Sequence, residues 1–205
     1  MDAWKDMYGL DPAALERRLI SHVGMDTWPP VHDALAMAGE RHAGQQRKGG
    51  GEPCVAHAIR TALILREVAE QKHPALLCAA LLHDVVEDTQ TTLDEIEDRF
   101  GSQVGDLVRA LTYPPLRAGE TRSQRNLRYF EHLRWEGRDA QIAKSADRLD
   151  NVLTMHGAFD PEHAREYLRE SREAVLPLTL ACNTALYHAL QCAVEEEERR
   201  MGAAG

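Results

Sequence analysis

The chain contains few aromatic residues and no long apolar run. Phe, Trp and Tyr together make up 5% of its 205 residues, whereas Ala and Leu are abundant, and this composition favours helices over strands. No apolar run approaches the roughly 18 residues that a transmembrane helix needs. Residues 1–6 lack the basic start and apolar core of a signal peptide. We therefore expect a helical protein that stays outside membranes.

Cysteine is also scarce, and its spacing carries no metal or disulfide signature. The four cysteines, Cys54, Cys78, Cys182 and Cys192, form no C-x-x-C pair. This spacing favours neither a zinc knuckle nor a dense disulfide framework. We expect reduced and mostly buried thiols, as in the reducing environment of the cytoplasm.

Basic residues are outnumbered. The chain has 24 Lys and Arg against 33 Asp and Glu, which gives a formal net charge of −9. A protein that coats nucleic acid is usually basic, so we expect neither DNA nor RNA as a partner. A small anionic substrate remains compatible with this charge, because a local cationic cluster or a bound metal ion can dominate inside a pocket.

Helix start and stop signals recur along the chain, and no stretch shows the alternation of a half-buried strand. Asp11 and Pro12 suit the N-cap and first position of a helix that Gly24 ends, and Thr92 with Glu95 forms a capping-box pattern. The expected helices cover about 11–23, 28–42, 55–70, 74–88, 92–100, 104–111, 122–136, 139–155, 162–172 and 174–199.

We expect these helices to form one compact all-α domain over residues 1–205, with about nine or ten helices. Its motif-bearing core covers about 30–157, and the C-terminal helices over 160–199 pack on that core. The last helices carry a row of apolar residues that includes Leu186 and Leu190. Packing on the core is the first explanation of this row, and the contact face of a homo-oligomer is the alternative.

The most informative stretch is Ala79–Thr89. In it an apolar run leads into His83 and Asp84, and Glu87 and Asp88 follow within one turn. Residues four apart on a helix share a face, so we expect one continuous helix that presents these groups on one side. Burying charge beside a core is costly unless something compensates it, and a metal ion often does. The stretch therefore predicts half of a metal site.

His57 and Asp147 are the candidates for the other half. His57 lies at the start of an expected helix, and Asp147 interrupts an otherwise apolar helix. With His83 and Asp84 they would offer two imidazoles and two carboxylates, a donor set that suits Mn²⁺, Fe²⁺, Mg²⁺ or Zn²⁺. Four such ligands would leave positions open for water and substrate oxygens, as a catalytic ion requires.

Each candidate also has a simpler explanation when it is taken alone. His57 could be a capping or core histidine, and Asp147 could be an ion-pair partner of Lys144 or Arg148. The conjunction is more specific, because all four candidates lie in helices beside apolar faces, where ionisable residues are unusual.

The segment 44–53 contains three consecutive glycines between a basic pair and a proline, a composition typical of a flexible connector. One interpretation makes it a linker inside the fold. The other makes it a loop that brings Arg47 and Lys48 to an anion.

Four blocks of the sequence, in this order, resemble the hydrolase domain of RelA/SpoT-type enzymes of the HD superfamily. The blocks are Arg47-Lys48-Gly-Gly-Gly-Glu52-Pro53-Cys-Val-Ala-His57, Ala-Ala-Leu-Leu-His83-Asp84-Val-Val-Glu87-Asp88-Thr89, Thr92-Leu93-Asp-Glu95-Ile-Glu-Asp-Arg-Phe100-Gly101 and Lys144-Ser-Ala-Asp147-Arg148-Leu149-Asp-Asn151. The resemblance implies an all-α HD-domain fold and a small stand-alone, manganese-dependent hydrolase. Its implied substrate is the alarmone guanosine 3′,5′-bis(diphosphate), ppGpp, from which it would release pyrophosphate.

The resemblance also implies roles for individual residues. The implied metal ligands are His57, His83, Asp84 and Asp147. The implied catalytic pair, which activates and positions the hydrolytic water, is Glu87 and Asp88. The implied substrate-binding residues are Arg47, Lys48, Lys144 and Asn151.

The chain departs from the family pattern at several positions. Cys54 replaces a tyrosine, Ala58 a proline and Ser145 a leucine, and the segment 112–135 resembles more divergent HD phosphohydrolases. These changes leave the metal ligands intact and leave the substrate open. The alternatives are an HD phosphohydrolase that acts on NADPH or a nucleoside phosphate, and a metal-stabilised nucleotide-binding module without turnover.

Overall fold

The computed structural model describes residues 3–23, 29–49 and 51–203 of the chain. Within these ranges the fold is built from helices, and the extended structure consists of an isolated bridge between Gln46 and Pro53. The all-α prediction is confirmed. The predicted helix end at Gly24 and the predicted helix start at Trp28 lie outside the described residues.

The helices are numbered here in chain order. They are α1 (Pro12–Val23), α2 (Pro29–Arg41), α3 (Cys54–Glu67), α4 (Pro74–Leu82), α5 (Val85–Asp88), α6 (Leu93–Phe100), α7 (Ser102–Leu111), α8 (Arg122–Leu133), α9 (Arg138–Thr154), α10 (Pro161–Glu170), α11 (Leu176–Cys182) and α12 (Thr184–Ala203). A 3₁₀ turn (Ala3–Gly9) precedes α1, and a π turn (Ser171–Val175) joins α10 to α11. None of these helices is both long and apolar enough to cross a membrane.

Side-chain caps fix two of the predicted helix starts. The Asp11 carboxylate accepts a hydrogen bond from the Ala14 backbone N–H at 2.7 Å, as an N-cap residue does. The Thr92 hydroxyl accepts from the Glu95 N–H at 3.2 Å. The reciprocal half of the predicted capping box is absent from this described helix start, because the Glu95 carboxylate pairs with Arg41 instead.

The predicted continuous helix over 74–88 is interrupted at its functional centre. The α4 helix ends at Leu82, His83 and Asp84 form a turn, and α5 begins at Val85. The Ala80 carbonyl accepts a hydrogen bond from the His83 ring at 2.7 Å. The His83 side chain thus bonds a carbonyl that, in a continuous α-helix, would accept from the backbone N–H four residues later.

The C-terminal helices divide at a different place from the predicted one. We expected a break between 172 and 174, but the chain stays helical from α10 to α11, and the break comes at Asn183. The Asn183 side chain accepts from the Leu186 N–H at 2.9 Å and donates to the Ala69 carbonyl at 3.1 Å. This cap begins α12 and ties it to the end of α3.

The core is formed by α3, α4 and α9, which pack pairwise against one another. All residues of α4 from Ala75 to Leu82 are buried, as is α9 from residue 142 to 150. The α12 helix packs on α9, and its Leu186 and Leu190 are fully buried. Core packing therefore accounts for these two residues of the apolar row.

Candidate metal centre and substrate cavity

The packing of α3, α4 and α9 brings three predicted ligands together. His57 lies in the first turn of α3, His83 follows α4, and Asp147 lies in the middle of α9. The His57 Nε2 atom is 3.1 Å from His83 Nε2 and 3.2 Å from Asp147 Oδ1, and His83 Nε2 is 3.7 Å from the same oxygen. Residues 90 positions apart in sequence thus converge on one point.

Asp84 completes the predicted set from the side that is open to solvent. Its Oδ1 atom is 3.2 Å from His83 Nε2, and its Oδ2 atom is 3.6 Å from His57 Nε2. The Asp84 side chain is 34% exposed, whereas that of Asp147 is 7% exposed. The four predicted ligands therefore form one cluster, with Asp84 at its mouth.

The outer ring nitrogens of both histidines are held by acceptors. His57 Nδ1 lies 2.7 Å from Asp150 Oδ2, and His83 Nδ1 lies 2.7 Å from the Ala80 carbonyl. A carbonyl and an ionised carboxylate only accept hydrogen bonds, so each Nδ1 carries the proton. The two Nε2 lone pairs then face each other and the Asp147 oxygen.

Such a set of donor atoms requires a positive charge between them. The ligand atoms of His57, His83 and Asp147 all lie within 4.8 Å of one another, and nitrogen and oxygen donors suit a divalent ion. A proton can meet the same need in the chain without metal. Burial lowers the pKa of His83, but the charge of Asp84 and the hydrogen bond with Asp147 outweigh it and raise the pKa to about 9. The residues present therefore fit a metal ion.

Lys144 lies beneath Asp147. Its Nζ atom is 2.7 Å from Asp147 Oδ2 and 4.4 Å from the centre of the Tyr113 ring. Burial lowers the pKa of Lys144, but the Asp147 charge outweighs it and holds the pKa well above its ordinary value. The ammonium is therefore a buried positive charge that fixes a ligand carboxylate, and it does not line the cavity described below.

Arg47 and Asn151 form a chain of hydrogen bonds that ends on the same ligand. Arg47 Nη2 donates to Asn151 Oδ1 at 2.7 Å and to Thr154 Oγ1 at 3.3 Å. The Asn151 amide in turn donates to Asp147 Oδ1. The basic loop is thereby connected to Asp147, a predicted metal ligand, although the two are about 100 residues apart in sequence.

The loop over 44–53 is held by hydrogen bonds that a flexible connector would not need. The Arg47 N–H donates to the Glu52 carbonyl at 2.8 Å, and Cys54 N–H donates to the Gln45 carbonyl at 3.1 Å. Gly49 packs against Ala158 with a positive φ of 89°. These hydrogen bonds hold residues 45–47 beside residues 52–54, and Gly50 lies outside the described residues.

A cavity of about 550 Å³ opens beside the cluster, within the range of small-molecule sites. Its basic walls come from Arg47 and Lys48 of the loop and from Arg122 at the start of α8, and His57 and Asp84 reach it from the cluster. Other residues that line it are Gln45, Gln46, Cys54, Asp88, Asn151, Thr154, Met155, Ala158, Phe159 and His163. The cavity therefore joins cationic side chains to the predicted ligand cluster.

The two predicted catalytic carboxylates have different surroundings. Asp88 lines the cavity, whereas Glu87 accepts a hydrogen bond from the Tyr113 N–H at 2.7 Å. Burial raises the pKa of Glu87 against the opposing charge of Lys144. Burial and the like charge of Asp84 raise the pKa of Asp88. Both side chains remain partly accessible to solvent.

Sequence reasoning missed a buried ion pair beside His57. Asp150 is fully buried, and its Oδ1 atom accepts from Arg60 Nε at 2.6 Å. Burial raises the pKa of Asp150, but the hydrogen bond from His57 and the charge of Arg60 outweigh it and lower the pKa. Spacing was the available signal, because each partner follows a predicted ligand by three residues.

Arg148 faces away from the cluster. Its guanidinium is buried, stacks 4.0 Å from the centre of the Tyr167 ring and pairs with Glu170. Of the two ion-pair partners considered for Asp147, only Lys144 makes the contact among the described residues. Asp147 therefore makes the ion pair of the simpler explanation and also lies in the predicted ligand cluster.

Comparison with known proteins places this geometry in a family. Residues 34–178 match the HD domain family. A Mus musculus protein named guanosine-3′,5′-bis(diphosphate) 3′-pyrophosphohydrolase MESH1 is 33% identical over 169 residues, which cover 80% of this chain and 92% of that protein. An Aquifex aeolicus protein with the same enzyme name is 34% identical over 161 residues, or 78% of this chain and 22% of that protein.

A solved structure supports the same grouping. It is described as a metazoan ortholog of SpoT that hydrolyzes ppGpp and plays a role in starvation responses, and it matches with a TM-score of 0.75 and 27% identity over 84% of this chain and 98% of that one. The chain spans only about a fifth of the length of the long relatives that include the Aquifex protein. The family match covers more than half of the chain, and the mouse relative is covered almost completely. The resemblance carried by the motifs is thus confirmed, and the chain belongs to the HD domain family.

Proposed function

We propose that this chain is a metal-dependent phosphohydrolase that cleaves the 3′-diphosphate from guanosine 3′,5′-bis(diphosphate). Water would attack, the bond between the 3′ oxygen and the diphosphate would break, and GDP and pyrophosphate would leave. The observation that carries the proposal is the convergence of two imidazole Nε2 atoms and the Asp147 oxygen beside a cavity with cationic walls. The names of the mouse and Aquifex relatives supply the substrate.

The proposal assigns the metal to His57, His83, Asp84 and Asp147, with Mn²⁺ as the ion. Two nitrogens and two carboxylates suit this borderline hard ion. A divalent ion bound there would supply Lewis acidity to a phosphoryl oxygen and would lower the pKa of water. The remaining chemistry belongs to the side chains of this chain.

Glu87 and Asp88 are the proposed catalytic pair. The Tyr113 N–H holds Glu87 Oε1 at 2.7 Å, which leaves Oε2 to accept the proton of the attacking water. Asp88 lines the cavity, where its carboxylate can orient the water or the departing group. In this division of roles, Glu87 is the base and Asp88 the orienting residue.

Substrate binding is assigned to Arg47, Lys48 and Asn151, which line the cavity. The cationic side chains of Arg47 and Lys48 offset the negative charge of the protein near an anionic substrate, and a guanidinium can bind phosphate through two donors. Lys144 is buried against Asp147, so we infer that it affects substrate binding only indirectly, by holding Asp147 in place. The earlier alternatives keep the site and replace the substrate by NADPH or a nucleoside phosphate, or remove turnover altogether.

The remaining assignments follow from composition. The net charge of −9 supports a small-molecule partner in place of DNA or RNA. Four cysteines without a disulfide among the described residues support a cytoplasmic location. Light scattering would measure whether the chain forms a homo-oligomer.

A substrate screen tests the proposal. Protein stripped with a chelator and reloaded with Mn²⁺ is incubated with ppGpp, NADPH, and nucleoside mono- and triphosphates, and products are identified by ³¹P NMR. We expect pyrophosphate from ppGpp. Release of orthophosphate from NADPH, with no product from ppGpp, would favour NADPH as the substrate. Nucleotide binding without turnover would favour the binding module.

Two variants separate metal binding from catalysis. Asp84→Ala should lose metal and turnover together, whereas Glu87→Gln should retain metal and lose turnover, because only Asp84 belongs to the ligand cluster. Metal is quantified on the same samples by mass spectrometry. Turnover by a metal-free Asp84→Ala protein would contradict the proposal.

A further inference from the structure

A buried carboxylate lies behind the metal cluster without a role in the proposed reaction. Asp150 is fully buried on α9 and does not line the cavity. Its Oδ2 atom is 2.7 Å from His57 Nδ1 and 3.2 Å from Arg60 Nη2, and its Oδ1 atom is 2.6 Å from Arg60 Nε. Both carboxylate oxygens therefore accept hydrogen bonds from inside the protein.

Arg60 is shared between two carboxylates. Besides Asp150, its Nη1 and Nη2 atoms donate to the two Glu52 oxygens at 2.6 and 2.8 Å. The guanidinium is 1% exposed and lies over the Tyr8 ring at 5.3 Å. Arg47 adds a second positive charge, with Nη1 3.9 Å from Asp150 Oδ2. The two cations balance Glu52 and Asp150 without requiring a charge on His57.

This balance fixes the tautomer of His57. An Asp150 carboxylate that stays ionised through its arginine partners can only accept from His57 Nδ1. The proton is then held on Nδ1, and the Nε2 lone pair points at the ligand cluster. A ring flipped or protonated on Nε2 would lose this contact and leave a buried carboxylate oxygen short of a donor, which is costly.

His83 reaches the same tautomer by a different route. Its Nδ1 atom bonds the Ala80 backbone carbonyl, which no side-chain substitution removes. The two histidine ligands therefore differ in a way that an experiment can use. Only the His57 ring depends on another side chain for its orientation.

We propose that Asp150, held in place by Arg60, is a positioning residue that fixes the His57 ring with Nε2 directed at the metal. The proposal rests on the metal site of the proposed function, but it does not depend on which substrate is cleaved. Outer carboxylates of this kind change metal affinity about 10- to 100-fold when they are altered. The role is therefore measurable without turnover.

The test compares Asp150→Asn with Glu170→Gln. Asn keeps the size of Asp150 but loses its charge, and only one of its two terminal atoms is an acceptor, so His57 and Arg60 compete for that oxygen. Glu170→Gln weakens the comparable ion pair with Arg148, which lies on the same helix and faces away from the cluster. Each full-length protein is stripped and titrated with Mn²⁺, with free ion followed by electron paramagnetic resonance.

We expect Asp150→Asn to raise the Kd for Mn²⁺ by about 10- to 100-fold and Glu170→Gln to leave it within about twofold of wild type. A second readout follows the ring nitrogens of ¹⁵N-histidine in the Zn²⁺-loaded proteins. His57, assigned by the loss of its signals in His57→Gln, should be metal-bound through Nε2 in wild type and should lose that single pattern in Asp150→Asn. A purely structural role would not change the ring pattern.

Arg60→Lys keeps the test valid if Asp150→Asn does not fold. Lysine retains the positive charge and loses the fork that holds Asp150 and Glu52, so its effect on the Mn²⁺ Kd should fall between those of the other two variants. Wild-type Kd and ring signals in Asp150→Asn, or an equal loss of affinity in Glu170→Gln, would overturn the proposal. Failure of the wild-type protein to bind any divalent ion would instead overturn the proposed function, and this inference with it.

Discussion

The glycine-rich loop offers a prediction that separates backbone strain from packing. Gly49 has a φ of +89°, and a Cβ atom added there would lie 2.4 Å from Ala158 Cα and 2.7 Å from Ala158 Cβ. Gly51 has a similar φ of +72°, but the nearest atom to its added Cβ is 4.0 Å away. Gly49→Ala and Gly51→Ala therefore share the conformational penalty, and only the first adds a clash.

The magnitudes follow from this geometry. A left-handed backbone costs an alanine about 1–2 kcal/mol, and the gain from a less flexible unfolded chain is the same for both variants. Forcing a methyl group into a packed contact costs about 1–3 kcal/mol more. For a chain of this length, 1 kcal/mol lowers Tm by about 2–4 °C. We expect Gly49→Ala to melt about 2–12 °C below Gly51→Ala.

The clash in Gly49→Ala should also weaken substrate binding, because the loop that carries Arg47 and Lys48 must move away from Ala158 to relieve it. Losing one hydrogen bond to a charged group costs about 1.5–3 kcal/mol, so KM should rise about tenfold or more. The Kd for Mn²⁺ should change less than KM, because the proposed ligands lie outside the loop and Arg47 reaches Asp147 only through Asn151. Melting by circular dichroism, steady-state kinetics and metal titration check the three values. Equal Tm and KM in the two variants would refute the packing argument.

Two further predictions concern stability. Adding Mn²⁺ at about 100 times its Kd should stabilise the stripped protein by about 2.7 kcal/mol and raise Tm by about 5–11 °C, as a melting scan would show; an unchanged Tm would contradict the metal site. Thr92→Ala should cost about 1 kcal/mol by removing the cap of α6, measured by urea unfolding, whereas Thr92→Ser should retain most of the wild-type stability.

The sequence predicted most helix starts and identified the residues of the proposed ligand cluster. Apolar periodicity and caps such as Asp11 located most helix starts, and the placement of His57, His83 and Asp147 in apolar surroundings pointed to the atoms that now lie within 4.8 Å of one another. Both kinds of signal are local. They depend on residues within a turn or two, which helix geometry brings together in a known way.

Other features could not be predicted because they depend on tertiary contacts. The break after Leu82 follows from a ring-to-carbonyl bond that helix periodicity does not encode. The ion pair of Asp150 with Arg60 joins residues 90 positions apart. Lys144 could equally have faced substrate, and only the packing of α9 on its neighbours turns it toward Asp147.

Charge pairing explains why the middle of α9 can be buried although it carries several charged side chains, including a proposed metal ligand. Asp147 is paired with Lys144, Arg148 with Glu170, and Asp150 with Arg60. Each buried charge of the helix thus has an opposite partner. Asp84, at the mouth of the cluster, has only the two histidines as ion-pair partners within the described structure.

This difference predicts unequal costs for replacing two of the proposed ligands. Asp147→Asn should destabilise the metal-free protein by about 3–5 kcal/mol, because it leaves the Lys144 ammonium buried without its partner. Asp84→Asn should destabilise the metal-free protein less than Asp147→Asn, because the Asp84 carboxylate is 34% exposed and solvent weakens its attraction to His83. Both variants should lose Mn²⁺ binding, so their metal-loaded Tm values should show no rise. Equal metal-free Tm values would mean that Lys144 is not held in place by Asp147, and that the pairing along α9 does not explain its burial.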